Sequence, residues 1–232
     1  MTGQLSWRQR VFTFITIGCA LFIVLTVVAM LFYPGGTTTD STTVGYSFST
    51  NYFSDLGLTR TYSEQPNMPS AILFITALAL GGAGIALFFL TFRQFFDGAR
   101  PGKLVSGIGS FFGAISGICF MGVAFTPANL YLIAHLIFVL CAFGTFAIAV
   151  ICYTVAIFCE PNYSNRFGFV FVAFAVLLVI YIFLLIIGPP YDSPEGNMIQ
   201  AIGQKIIVYA SVISIFIQAN GANKIEPISR QP

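Results

Sequence analysis

Charged residues are scarce in this sequence. Asp, Glu, Lys and Arg together make up 8% of the 232 residues, whereas soluble globular proteins carry roughly a quarter. A chain with so few charges cannot cover its surface with groups that water solvates, so most of that surface must face lipid. The formal net charge is only +2, which argues against nucleic-acid binding, because that function needs a clustered basic surface.

Histidine is nearly absent, and cysteine is absent from the polar segments. The only His in the sequence is His135, so a multi-histidine zinc site would need unusual ligands within one subunit. The cysteines lie within apolar runs or at their ends and lack zinc-ligand spacing; they are Cys19, Cys119, Cys141, Cys152 and Cys159. We interpret them as apolar packing residues, and we predict neither a metal nor another cofactor.

Long apolar runs dominate what is present. Hydrophobic residues make up 57% of the chain, and six runs approach or exceed the roughly 20 residues of a spanning helix. Because backbone polar groups find no water in hydrocarbon, each run should be a helix. The runs cover residues 11–33, 70–92, 104–125, 130–158, 167–188 and 198–219. The sequence therefore predicts an all-α, multi-pass bundle of six transmembrane helices, with residues 1–232 in a single domain.

Lys and Arg lie almost entirely on one side of the predicted bundle. That side carries Arg8, Arg10, Arg93, Arg100, Lys103, Arg166, Lys224 and Arg230, and the other side carries only Arg60. Since cytoplasmic loops are enriched in Lys and Arg, this pattern predicts that the N- and C-termini are cytoplasmic. The lack of a sorting signal suits the plasma membrane of a bacterium or archaeon.

The third apolar run carries Gly109, Gly113 and Gly117 at four-residue spacing. Glycines at this spacing let two helices in lipid approach closely and pack by dispersion, as in a glycine zipper. We expect this face to pack within the chain, against the second and fourth runs. A homo-oligomer or a membrane protein partner on the same face stays an alternative.

The longest segment outside the apolar runs follows the first run. Within it, residues 49–58 combine polar positions with Tyr52, Phe53 and Leu56 on an apolar side. This pattern predicts a short helix that lies at the outer interface or dips between the spans.

Three short motifs accompany the six runs. Residues 51–57 read Asn-x-x-Ser-Asp-Leu-Gly, His135 follows Phe-Thr-Pro at residues 125–127, and residues 200–205 read Gln-x-x-Gly-Gln-Lys. Together they resemble the prokaryotic six-span membrane family catalogued as domain of unknown function 998. That family is distantly similar to eukaryotic six-span proteins linked to autophagy and lipid-anchor remodelling. The family commonly has Arg where Lys205 stands, and the resemblance implies a fold rather than an activity.

Three ionisable residues should lie at a similar depth in the outer half of the bundle: Asp55, His135 and Lys205. Ionisable groups in a membrane usually face the bundle interior or a wet cavity, and an Asp55–Lys205 ion pair would neutralise both. Polar residues near them in the sequence are Asn51, Ser54, Gln200 and Gln204. Our hypothesis is that these seven residues line a polar pocket that is open to the outer leaflet or outer face.

Structural roles are possible for the same side chains. Asp55 could pin the loop, Lys205 could extend to the interface, and His135 could be a hydrogen-bonded residue of the bundle. The glutamines would then connect helices. The sequence does not decide between these roles and ligand binding.

The best-supported function is non-catalytic: binding of a membrane lipid or amphiphile, or support of a membrane complex. One alternative is a membrane-embedded lipid-modifying enzyme that uses Asp55, His135 and Lys205. A Ser54–His135–Asp55 triad is formally possible, but the Gly-x-Ser-x-Gly turn typical of such nucleophiles is absent. The other alternative is a small-solute transporter, which the apolar midpoints of the spans disfavour.

Overall fold

Six α-helices form the structure, a computed structural model that describes residues 6–96 and 100–224. They are α1 Trp7–Phe32, α2 Met68–Phe92, α3 Arg100–Ala124, α4 Ala128–Cys159, α5 Asn165–Ile187 and α6 Pro194–Asn223. Within the described residues, six helices are long and apolar enough to cross a membrane. The predicted all-α bundle of six spans is confirmed, and each helix begins two to four residues before the apolar run that predicted it.

Polar caps and prolines explain these earlier starts. The Ser6 hydroxyl accepts a hydrogen bond from the Gln9 N–H, and the Gln9 side chain accepts one from the Ser6 N–H, a reciprocal arrangement that satisfies two free donors of α1. At α6, Ser193 accepts the Gly196 N–H, and Pro194 occupies the first helical position. A prediction from hydropathy begins at the first apolar residue and so misses these polar first turns.

The helices form a closed ring in chain order. Each helix packs against the next one in the sequence, and α6 packs against α1 to close the ring. At the end of the ring where α1 begins and α6 ends, aromatic side chains fill the interior. There Phe92 and Phe96 pack around Tyr153 and Tyr163 in edge-on and tilted arrangements, with ring centroids 5.1 to 5.7 Å apart.

Glycine permits the close contacts of α3 with its two neighbours. A Cβ on Gly117 would lie 2.4 Å from the Gly82 carbonyl oxygen of α2, and one on Gly113 would lie 2.3 Å from the Phe89 ring. Gly109 instead meets Tyr153 of α4. The three glycines therefore pack against two different helices of the same chain.

Residues 33–67 fold over the opposite end of the ring, and we call this segment the cap. An isolated β-bridge joins Gly35 to Val44. The predicted short helix is a 3₁₀-helix, Phe53–Gly57, which we call the cap helix. Phe53, Leu56 and Gly57 are buried, so the cap helix dips between the spans and does not lie flat at the interface. The Phe53 ring stacks on Phe22, with centroids 6.0 Å apart.

Candidate functional site

Lys205 of α6 is buried beneath the cap, with 1% of its surface exposed. Its ammonium donates to the backbone oxygens of Asn51 and Ala201. It also faces the rings of Tyr46 and Phe48, at 5.4 and 5.2 Å from their centroids. Carbonyl oxygens and aromatic faces both stabilise a cation away from water. The Lys205 side chain therefore binds the cap instead of extending to the interface.

Asn51 connects Lys205 to Asp55. The Asn51 backbone oxygen accepts from Lys205, while its Nδ2 donates to Asp55 Oδ2 over 3.0 Å and to the Gly36 oxygen over 2.8 Å. Asp55 Oδ2 also accepts the Tyr52 N–H over 2.8 Å. No direct Asp55–Lys205 ion pair forms in the described part of the chain, because Asn51 occupies the space between the two charges. We call Asn51, Asp55 and Lys205 the latch.

Burial governs the protonation of Asp55. Loss of solvent raises the pKa of this carboxyl from 3.8 to about 6, although the hydrogen bonds from Asn51 and Tyr52 and the charge of Lys205 act in the opposite direction. The pKa of Tyr62 is raised to about 12, by burial and by the charge of Asp55. The carboxyl therefore gains a proton more readily than an exposed aspartate does.

Two further residues of α6 hold the cap. Gln204 Oε1 accepts the N–H groups of Phe53 and Ser54, over 2.6 and 3.4 Å. About two helical turns earlier, Asn197 Nδ2 donates to the Thr50 backbone oxygen over 2.7 Å. Helix α6 thus fixes the cap through side chains more than 140 residues away in sequence.

His135 and Gln200 have other partners. His135 Nδ1 lies 2.7 Å from the Thr126 backbone oxygen at the α3–α4 turn, and Gln200 Nε2 donates to the oxygens of Leu184 and Pro189. Within residues 6–96 and 100–224, no hydrogen bond or ion pair joins His135 to Ser54, Asp55 or Lys205. Of the seven predicted site residues, the structure brings together five: Asn51, Ser54, Asp55, Gln204 and Lys205.

Asn67 and Asn197 also hold the cap, and neither was predicted from the sequence. Asn67 Nδ2 donates to the backbone oxygens of Leu56 and Leu58, over 3.1 and 2.8 Å, and so holds the cap helix from the side of α2. Each Asn stands at the start of a helix, where Asn is ordinarily interpreted as a helix cap. Their burial, 0% exposed for both, distinguishes them from ordinary caps but is not visible in the sequence.

An apolar cavity of about 150 Å³ lies inside the ring, directly beneath the cap helix. Its lining on α6 runs from Gln204 to Ile215, and α1, α2, α3 and α4 supply the other walls. Phe53 and Ser54 of the cap helix form one end of the cavity, which we call its cap end. The rest of the lining is apolar, apart from Ser211, whose hydroxyl donates to Ile207 of its own helix, and Cys19.

The cavity wall is thin between α1 and α2. Ile17 and Leu21 line the cavity and are also exposed on the outside of the ring, 61% and 41%. Gly18 and Gly84 lie in the same wall, and a Cβ on either would meet nothing within 4 Å. We call the open space at Gly18 and Gly84 the gap. Since this side of a spanning bundle faces lipid, the gap joins the cavity to the hydrocarbon region.

The ionisable residues of the predicted site and the cavity lie apart in the structure. In the described part of the chain, no group of three His, Cys, Asp or Glu residues is placed to hold a metal ion. Ser54 is not hydrogen-bonded to His135, and the charged latch does not line the cavity. What remains is an apolar cavity with neutral polar groups at one end.

The comparisons with known proteins identify a family but no activity. No curated protein and no solved structure matches the chain, so the expected likeness to eukaryotic six-span proteins stays a prediction. One family model matches residues 16–219, which include all but the ends of the six-helix ring. The chain therefore belongs to the family described as "Protein of unknown function (DUF998)".

Proposed function

We propose that this multi-pass membrane protein binds a lipid or amphiphile, without catalysis, by holding an apolar chain in the cavity between α1, α2 and α6. The cavity carries the proposal. Its volume of about 150 Å³ matches that of an apolar protein cavity that stays dry and binds benzene, so it holds about six carbon atoms with similar fit.

The position of the gap supports entry from the membrane. Gly18 lies near the middle of α1 and Gly84 in the second half of α2, so the gap lies at the depth of acyl chains. A ligand that entered there would exchange one hydrocarbon environment for another, and it would fill space that otherwise offers no contacts.

The charge pattern supports an orientation with the cap outside. The end opposite the cap carries Arg8, Arg10, Arg93, Lys103, Arg166 and Lys224; Arg230 and the Arg100 side chain lie outside the described residues. The positive-inside rule assigns that end to the cytoplasm. The protein would then reside in the plasma membrane of a bacterium or archaeon, with its cap facing outward.

Filling the cavity tests the proposal. The probe is a monoacylglycerol with a diazirine on its acyl chain, incorporated into nanodiscs with the protein and photolysed. We expect cross-links to peptides from α1 and α2, and we expect Gly18→Leu to reduce them at least tenfold because its side chain enters the open space.

The matched control is Gly144→Leu. A Cβ on Gly144 would also meet nothing within 4 Å, but this residue lies on α4 and does not line the cavity. We expect Gly144→Leu to cross-link like the wild type. Equal labelling of all three proteins, spread over every lipid-facing helix, would refute the proposal and would favour support of a membrane complex instead.

A further inference from the structure

We propose that the cavity selects an amphiphile with a single chain and an uncharged polar end, such as a monoacylglycerol or a long-chain alcohol, with the polar end at Ser54 and Gln204. This inference rests on the proposed function and adds the chemical class of the ligand. It depends on two observations: the free polar groups of the cavity lie at one end, and neither Asp55 nor Lys205 lines it.

The free polar groups of the cavity lie at its cap end. Ser54 Oγ forms no hydrogen bond with any described residue, although Ser54 lines the cavity. The oxygen of Gln204 is engaged by the cap, so the amide offers its NH₂ group. Beside Gln204, the buried Tyr181 hydroxyl faces the Gln204 amide, and within residues 6–96 and 100–224 no residue accepts its proton. A ligand oxygen here would meet hydroxyl and amide donors.

The charges that could recognise a phosphate or carboxylate are engaged elsewhere. Lys205 follows Gln204 in sequence but donates to Asn51 and Ala201, beneath two aromatic rings. Neither Lys205 nor Asp55 lines the cavity. An ionic headgroup at Ser54 would therefore lose its hydration without gaining a counter-charge, which is strongly unfavourable in an apolar interior.

The dimensions favour one chain. The lining residues of α6 span 204 to 215, which corresponds to about 17 Å along the helix axis at 1.5 Å per residue. A volume of about 150 Å³ spread over that length is a narrow channel. It accommodates a segment of about six carbon atoms of one alkyl chain, aligned with the helices and with the polar end at the cap helix. The remainder of a longer chain would extend through the gap into the lipid.

Native mass spectrometry with three single-chain probes of equal chain length tests this inference. The probes are monopalmitoylglycerol, palmitate and lysophosphatidylglycerol, each titrated onto delipidated protein. We expect the neutral probe to bind at least tenfold more tightly than either anion. Ser54→Ala should weaken the neutral probe about fivefold, the effect of one hydrogen bond. Ser49→Ala, an exposed position of the cap that does not line the cavity, should leave binding unchanged.

The outcomes separate this inference from the proposed function. Comparable binding of all three probes that Gly18→Leu abolishes, with no effect of Ser54→Ala, would overturn the selectivity and leave the cavity as a lipid site. Binding of no probe to the wild type, or binding that Gly18→Leu does not reduce, would overturn both. Preference for the neutral probe with loss on Ser54→Ala would support both.

Discussion

Replacing Lys205 with Met should loosen the attachment of the cap to α6, which Gln204 and Asn197 would then maintain alone. The substitution keeps the length of the side chain but removes the ammonium that donates to Asn51 and Ala201. It also leaves the charge of Asp55 buried without a nearby cation, while that carboxyl is only 3% exposed. Removing one partner from a direct buried ion pair typically costs about 3 to 5 kcal/mol, and that range is an upper bound here because Asn51 separates the two charges.

We expect the lower end of that range, about 3 kcal/mol at pH 7.5, for a physical reason. The Asp55 pKa is already near 6 and would rise further without Lys205, so the carboxyl can take up a proton instead of remaining charged. Adding Asp55→Asn removes the charge altogether and should recover part of the loss. The double variant should therefore be more stable than the sum of the single effects predicts, by about 1 kcal/mol or more.

Two measurements test this in detergent: thermal unfolding, and hydrogen exchange of peptides from residues 46–58. Exchange should increase there first, because the latch holds that segment. The control is Lys224→Met, which removes the same charge from an exposed site at the opposite end. Strictly additive effects of Lys205→Met and Asp55→Asn, or unchanged exchange in the cap, would refute the latch.

Three other expectations follow. Because the folded pKa of Asp55 exceeds its unfolded value of 3.8, the folded state binds the proton more tightly. The contribution of Asp55 to stability should be greatest below about pH 4 and should fall, by up to about 3 kcal/mol, as the pH rises to about 6. Asp55→Asn should remove this pH dependence in thermal melts. Gly117→Ala should destabilise the protein by about 1 to 3 kcal/mol because its Cβ would lie 2.4 Å from the Gly82 oxygen, whereas Gly144→Ala should not. In a background without native Cys, a membrane-impermeant thiol reagent should label Ser41→Cys but not Asn162→Cys in intact cells; the reverse pattern would contradict the orientation.

The six helices could be predicted because the bilayer sets a local requirement. Each span must satisfy its backbone within itself, so a run of apolar residues determines both its conformation and its approximate limits. The polar first turns after Ser6 and Ser193 were not predicted, because hydrogen bonds to the capping side chains stabilise them and apolarity does not.

The arrangement of the site depends on contacts that no local pattern encodes. The sequence indicated Asp55 and Lys205 as partners by charge, but the group between them is the backbone oxygen of Asn51, 154 residues from Lys205. Backbone groups are the same at every position, so charge and polarity cannot predict which one a buried lysine contacts.

The role of each glycine in the bundle also depends on contacts that the sequence does not show. Gly117 lies against the backbone of α2, whereas Gly18 and Gly84 face open space. All three are glycines within apolar runs, and one packs helices while the others leave a gap. The difference comes from the neighbouring helix, which the sequence does not place.

The latch and the cavity meet at one segment of the cap. Gln204 and Lys205 are consecutive, so their side chains leave α6 about 100° apart, one above the cavity and the other beneath Asn51. Lys205 holds the cap at Asn51. Gln204 holds Phe53 and Ser54 over the cavity. Buried charges are costly in a membrane unless they are fully satisfied. Committing Lys205 and Asp55 to the cap therefore leaves neutral groups to face a ligand, and a ligand bonded to Ser54 would stabilise the same segment that the latch holds.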